Sequence, residues 1–317
     1  NLFLKILEYL SLFISKYSFN IILCHIPYYI VILYYVIIFI VLINFKKGKY
    51  KYILILLIML FIHTNVPNLS NEVHFLDVGQ GDSILLRLKN KTYLIDTGGN
   101  RNYDLSSNLL IPYFKSLGIK HIDYLILTHG DFDHMGSSLN LVNNFKTKEV
   151  IFNCGEFNDL EEKIIETLDS KRITYYSCIK ELNIDTNKFY FLQTKEYDNE
   201  NDNSNVIYTE INGYKFMFMG DAGVDKEKDI IDKYNLPNID VLKVGHHGSK
   251  TSSSKEFINE INPKYSIISV GKNNRYGHPN KEVLNNLKDS KIYRTDKDGS
   301  IMFKINNNKL KIETCEP

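Results

Sequence analysis

The sequence predicts an α/β protein: a four-layer αββα sandwich preceded by one or two transmembrane helices. Three observations predict it. Nearly all of the strongly apolar sequence lies before about Val66, whereas the rest has the mixed composition of an ordinary globular domain. From Val73 onward, short β-rich runs are separated by turns containing Gly, Asn and Asp. Helical stretches fall between groups of those runs, the order expected when two sheets pack face to face under helices.

The apolar part comes first. Between Lys16 and Lys46 no Asp, Glu, Lys or Arg occurs, and the middle reads IPYYIVILYYVIIFIVLI from Ile26 to Ile43. That is roughly 18 apolar residues in a charge-free run of about 29, enough to cross a hydrocarbon core of ~30 Å. A signal peptide would have a shorter run ending in small residues. A second run, YILILLIMLFI from Tyr52 to Ile62, is shorter and reads either as a second crossing or as a partly inserted helix. The spans are therefore expected within 21–66. Residues 1–20, with Lys5, Glu8 and Lys16 among leucines and phenylalanines, read as an amphipathic, interfacial helix. Lys46, Lys47, Lys49 and Lys51 form a basic loop between the two runs. Basic loops stay cytoplasmic, so a second crossing would put everything after Pro67 outside the cell membrane. The abrupt start without methionine is expected of the tail of a longer, multi-pass protein.

The domain from 70 to 317 supplies the strands: VHFLDVG, SILLRL, TYLID, YLILTH, VIFN, VIYTEI, YKFMFMG, VLKVG, SIISV and SIMFKI. Helices are expected at about 107–117, 157–169, 225–234, 254–261 and 280–288. The stretch DNENDNSN (Asp198 to Asn205) reads as a polar surface loop. A net charge of +1, from 38 basic and 37 acidic side chains, excludes a global cationic field for a polyanion. No two of Cys24, Cys154, Cys178 and Cys315 form a C-x-x-C pair, which argues against a thiolate zinc site. A disulfide between Cys154 and Cys178 is left open, with nothing in the sequence to require it.

Chemistry concentrates in Thr128 to Ser137, THGDFDHMGS. An isolated His or Asp in a loop is ordinarily a cap or a surface residue. Here His129, Asp131, Asp133 and His134 occur together directly after an apolar strand, and imidazole with carboxylate suits zinc, manganese or iron. Asp221 in FMGDAG and the pair His246 and His247 in VLKVGHHGS also end apolar strands. Adjacent residues leaving a strand point to opposite sides, so both histidines are not expected on one ion.

The loop resembles the His-x-His-x-Asp-His signature of the metallo-β-lactamase superfamily, with Asp131 where the second histidine would be. The resemblance implies the same four-layer sandwich and a site for two divalent metal ions. Its ligands would be His129, Asp131, Asp133, His134, Asp221 as the bridging carboxylate, and His247 in preference to His246. Members commonly carry a further histidine between the loop and the bridging aspartate; no His occurs from Ile151 to Gly220 here, where the corresponding stretch reads Asp202-Asn203-Ser204-Asn205. A first site so rich in oxygen donors makes manganese as credible as zinc.

The ordered set FLDVGQGDSILL, IDTGG, HGDFDH, DNSN, GDAG, VLKVGHHGSKTS and RYGHP is similar to the C-terminal domain of the ComEC family of DNA-uptake proteins. That resemblance implies a nuclease facing the cell exterior, acting on DNA beside a membrane channel, with the rest of the channel and the uptake machinery as partners. Asp133, His134 and Asp221 would carry the catalytic role, with Asp133 or another carboxylate managing the proton. Lys243, His246, Ser249, Lys250 and His278 are candidate phosphate contacts, each with solvent exposure as the plainer alternative. The turn holding Asp77, Gln80, Gly81 and Asp82 reads as a hairpin-like connection, and Asp96 as support behind the metal loop. Two other classes stand against the nuclease: a metal-depleted module that guides DNA without cutting, and a phosphodiesterase for another surface polymer.

Overall fold

The computed structural model describes residues 28–45, 53–55, 58, 70–89, 91–184, 186–306 and 309–315. The chain divides into two compact units, Asn1–Val66 with Tyr113–Lys120, and Pro67–Pro112 with His121–Pro317.

In the first unit the described part of the expected membrane segment is helix α1, Tyr28–Phe45, 18 residues without a charged side chain. Among the described residues no helix is long and apolar enough to cross a membrane. At 1.5 Å per residue α1 is about 27 Å long. The interfacial helix expected at 1–20, the basic loop and most of the second apolar run lie outside the described residues.

The second unit holds two sheets. The first contains β1 (Asn71–Phe75), β2 (Ile84–Leu88), β3 (Lys91–Ile95), β4 (Ile122–Ile126), β5 (Thr147–Phe152), β6 (Thr174–Ser177), β14 (Ser300–Asn306) and β15 (Lys309–Cys315), in the order β15-β14-β1-β2-β3-β4-β5-β6. The second contains β7 (Glu181–Ile184), β8 (Asn187–Phe191), β9 (Ile207–Ile211), β10 (Tyr214–Phe218), β11 (Val241–Lys243), β12 (Tyr265–Ile268) and β13 (Lys291–Arg294), in the order β13-β12-β11-β10-β9-β8-β7. The remaining α-helices of the chain are α2 (Ile111–Ser116), whose residues from Tyr113 on belong to the first unit, α3 (Phe132–Met135), α4 (Ser138–Asn144), α5 (Asp159–Lys171), α6 (Val224–Lys233), α7 (Lys255–Ile261), α8 (Lys281–Asn286) and α9 (Thr295–Asp298).

Strand periodicity places the core. Val73 and Phe75 of β1, Ile84 and Leu86 of β2, and Ile301 and Phe303 of β14 share one buried cluster with Phe216 and Phe218 of β10. That cluster is the apolar layer between the sheets. On the other face of the second sheet, Met217, Leu242 and Ile268 pack with Ile230 of α6, Phe257 and Ile261 of α7, and Val283 of α8. Helix α5 begins in a reciprocal capping box between Asn158 and Glu161 and buries Ile164 and Leu168, one turn apart. The expected two-sheet sandwich is what forms. Cys154 and Cys178, just past β5 and β6, are joined as a disulfide, and Cys315 is free and exposed.

One buried ionic cluster on β1 yields a test. Glu72 is 4% exposed and accepts from Arg87 Nη1 at 2.8 Å and from Ser70 Oγ at 2.7 Å. Burial raises the Glu72 pKa, but hydrogen bonds from His74 and Ser70 and the charge of Arg87 bring it down to about 2. A depressed carboxylate stabilises the fold above its unfolded value and loses that contribution as pH falls through the folded one. Glu72→Gln is therefore expected to cost on the order of 3 kcal/mol at pH 7. Urea unfolding of both proteins from pH 7 to pH 2 checks it: the gap should close below the ordinary carboxylate range, and a gap constant with pH refutes it.

Candidate metal centre

Sheet register brings the chemistry to one edge. Strands β3 and β4 run parallel, with Ile95 opposite Ile126, so Asp96 and the His129–His134 loop leave at the same end. Strand β2 is antiparallel to β3, with Ile84 opposite Ile95, so the turn before β2 returns Asp82 to that end. In the second sheet β10 and β11 run parallel, with Phe218 opposite Lys243, so Asp221 and His247 leave together.

Four overlapping groups result, each with ligand atoms close enough to share an ion: His129, His134 and Asp221; Asp133, His134 and His247; Asp82, Asp221 and His247; and Asp82, Asp96 and His134. Asp221 Oδ1 lies 3.0 Å from His134 Nε2 and 3.7 Å from His247 Nε2, and Asp133 Oδ2 lies 3.3 Å from His247 Nε2. Five buried atoms here have no hydrogen-bond partner: Asp82 Oδ1, His129 Nε2, His134 Nε2, Asp221 Oδ1 and His247 Nε2. Uncompensated polar atoms are expensive to bury. Five within one run of overlapping groups fit a site built for divalent cations.

Neighbouring groups set the tautomers. His247 Nδ1 lies 2.9 Å from the Ser269 carbonyl oxygen, which can only accept, so Nδ1 carries the hydrogen and the Nε2 lone pair faces the cluster. His134 Nδ1 lies 2.8 Å from Asp96 Oδ2. Asp96 is itself held by Thr128 through its backbone N–H at 2.8 Å and its hydroxyl at 2.6 Å, so this carboxylate orients His134. Burial lowers the His134 pKa, but the charges of Asp221 and Asp96 outweigh it and raise it well above the usual value. Asp221 is depressed well below the carboxylate range: burial pushes it up, and the charges of His134 and His247 push it further down. Protons and cations therefore compete for the same nitrogens.

The turn before β2 fits against the metal loop only without a side chain. A Cβ on Gly81, whose φ is +138°, would lie 2.2 Å from the Asp133 carbonyl oxygen. The absence of that Cβ lets the Asp82 N–H donate to this carbonyl at 3.2 Å.

The stretch 202–205 is a brace rather than a free surface loop. Asp202 accepts from Gly223 N–H at 2.7 Å, Ser204 Oγ from Asp221 N–H at 3.1 Å, and Asn205 Nδ2 donates to the Leu127 carbonyl at 3.1 Å. It ties the strand end carrying Asp221 to the one carrying the metal loop.

Other expected residues fall differently. Asp131 caps α3 with a half-exposed side chain and reaches only to 3.7 Å from His129 Nε2, outside all four groups. Lys243 is not a phosphate contact but is wholly buried: its Nζ lies 2.5 Å from Asp82 Oδ2 and donates to the Val244 carbonyl. Ser249 is also buried, with its Oγ 3.0 Å from Thr251 Oγ1, while Lys250 is exposed. His246, in a left-handed turn with His247, is partly exposed; its Nε2 lies 3.7 Å from Asp221 Oδ2 and its ring meets that of His278 edge to face at 5.9 Å. Asp82 is the member of the cluster that the sequence reading left in a plain turn.

Residues 76–272 match the metallo-beta-lactamase superfamily. The chain belongs to that superfamily. The fold agrees with the metallo-beta-lactamase fold protein YhfI from Bacillus subtilis at a TM-score of 0.50 and 13% identity, covering 74% of this chain and 99% of that one. The chain is homologous to ComEC-type competence proteins. It is 35% identical over 272 residues to ComE operon protein 3 of Bacillus subtilis (strain 168), covering 78% of this chain and 35% of that protein. It is 31% identical over 254 residues to competence protein ComA of Neisseria gonorrhoeae, covering 78% and 34%. The chain thus spans about a third of the length of these relatives. Membership in the superfamily agrees with a hydrolase fold and a divalent-metal site.

Proposed function

We propose that this segment is a metal-dependent phosphodiesterase, a nuclease that degrades one DNA strand outside the cytoplasm while the other passes through a membrane channel formed by the rest of a longer chain. The observation that carries the reading is the gathering of His129, His134, Asp221, His247 and Asp82 into overlapping ligand groups through buried atoms without a hydrogen-bond partner. Homology to competence proteins supports DNA as the substrate. The Cys154–Cys178 disulfide supports an oxidising, extracytoplasmic setting. The uncharged α1 supports anchorage in the cell membrane.

In this reading His129, His134, Asp133, Asp221 and His247 hold two divalent ions, zinc or manganese, with Asp82 as a further carboxylate. Bound there, the ions supply positive charge that polarises a phosphoryl oxygen and lowers the pKa of water. The protein's own groups do the rest. Burial raises the Asp133 pKa, but the His247 imidazole at 3.3 Å and the charge of His134 bring it down to about 2. Asp133 is therefore ionised at neutral pH and orients a water by accepting its hydrogen bond, rather than storing a proton. His246 and His278 offer imidazoles to the phosphate from the partly exposed side.

The test is nicking of circular single-stranded and duplex DNA by the full chain in Mn²⁺ or Zn²⁺, against EDTA and against p-nitrophenyl phosphorylcholine. Metal-dependent nicking is expected. No bound metal and no cleavage of any ester would favour the guiding module, and cleavage of the choline ester alone would favour the surface-polymer enzyme.

A further inference from the structure

The solvent side of the second sheet carries a groove that the metal centre does not use. Helices cover this sheet over β10, β11 and β12, but the alternate residues of β8 that point outward, Lys188 and Tyr190, remain exposed. Tyr190 stands directly opposite Tyr208 of β9, their rings 6.0 Å apart, and Tyr190 is 38% exposed. With Tyr234, just past α6, they line a cavity of about 700 Å³ that Lys180 and Lys233 also line. Lysines sit against the tyrosine rings: Lys188 over Tyr190 at 4.8 Å and Lys233 over Tyr234 at 5.5 Å. The acidic side chain in the wall, Glu181, is already paired with Lys188 at 3.2 Å.

Leu192 and Gln193 form part of this wall and also part of the wall of a second cavity of about 300 Å³. The second cavity is bounded on another side by Asn203, Ser204 and Asn205, the stretch whose Ser204 hydroxyl holds the Asp221 amide. The shared wall is fixed, because Lys233 Nζ and Tyr234 OH both donate to the Gln193 carbonyl, at 2.8 and 2.6 Å. A tyrosine-lined groove thus adjoins a cavity that adjoins the brace of the metal centre.

Tyrosine rings lining one groove, with ammonium groups beside them, match one ligand chemistry, bases that stack and phosphates that need cations, without sequence reading. A duplex hides its base faces and cannot use such rings. We infer that the Tyr190–Tyr208–Tyr234 groove is a docking track for single-stranded polynucleotide, holding the strand on the approach to the metal centre. The inference rests on the nuclease reading for its purpose but not for its test.

The experiment measures fluorescence anisotropy of labelled oligodeoxythymidylates of 12 and 3 nucleotides with the full chain in detergent and EDTA, where binding is read without cleavage. The expected result is that the 12-mer binds at least about tenfold more tightly than the 3-mer. The double variant Tyr190→Ala, Tyr208→Ala should abolish that difference, and Tyr190→Phe, Tyr208→Phe should keep it. An unchanged thermal midpoint in each variant shows that the fold is intact. An unchanged 12-mer affinity in the alanine variant overturns the inference, as does equal loss in the phenylalanine variant or equal binding of a 12-base-pair duplex. If the wild-type chain nicks no DNA but shows the length dependence and its loss, the groove stands and the nuclease reading falls.

Discussion

Replacing Asp221 with asparagine is expected to lower phosphodiester hydrolysis by on the order of 10³-fold, with a parallel loss of bound metal. Asp221 belongs to two of the four ligand groups, and its Oδ1 is one of the atoms that bond to nothing else. The amide keeps the shape of the side chain and its bond from backbone to Ser204, but removes the charge that His134 and His247 face. The comparison that gives the experiment force is Asp131→Asn. Because Asp131 is half-exposed and outside every group, its variant should keep activity within about tenfold of wild type. Metal content by mass spectrometry and initial rates on a diester decide it. Equal losses in the two variants would mean that Asp131 moves onto an ion and that the geometry of the loop has been misread.

That comparison also marks how far the sequence can be read. The inner strands were legible because their apolar runs are long and end in turns, and the metal loop was legible because four ligand-type residues sit together after one of them. Strands β6, β7, β8, β13 and β15 were not, since sequences such as TYYS, ELNI, KIYR and KLKIETC carry at least as many polar as apolar residues and are exposed or half-buried. Their place at or beside the sheet edges explains the composition. The positions of Asp131 and Asp82 differ from what the sequence suggests, for a simple reason. Proximity in sequence made Asp131 look like a ligand, although as the residue before α3 its side chain stays half-exposed and belongs to none of the four groups. Asp82 looked like a turn residue, and only the antiparallel return of β2 along β3 carries it to the metal edge. The 202–205 stretch was misjudged likewise: its polar side chains are spent on backbone groups at two strand ends, which composition cannot distinguish from solvation.

One signal for Asp82 was present but unused: a lysine inside the apolar strand VLKVG. Lys243 is 0% exposed, and an ammonium cannot be buried there unless a carboxylate meets it. Lys243→Met is therefore expected to destabilise the metal-free protein by about 3–5 kcal/mol, since it leaves Asp82 buried without its cation among Asp96, Asp133 and Asp221. The second substitution separates charge from packing. Adding Asp82→Asn to Lys243→Met removes the stranded charge and should recover most of the loss, whereas a loss caused by poor packing would persist. Urea unfolding in EDTA measures both. Manganese should then stabilise the single variant more than wild type, because an ion in the cluster offers the carboxylates the positive charge that Lys243 no longer supplies. If Lys243→Met unfolds at the same urea concentration as wild type in EDTA, Asp82 is not charged in the fold, and its place among the metal ligands goes with that charge.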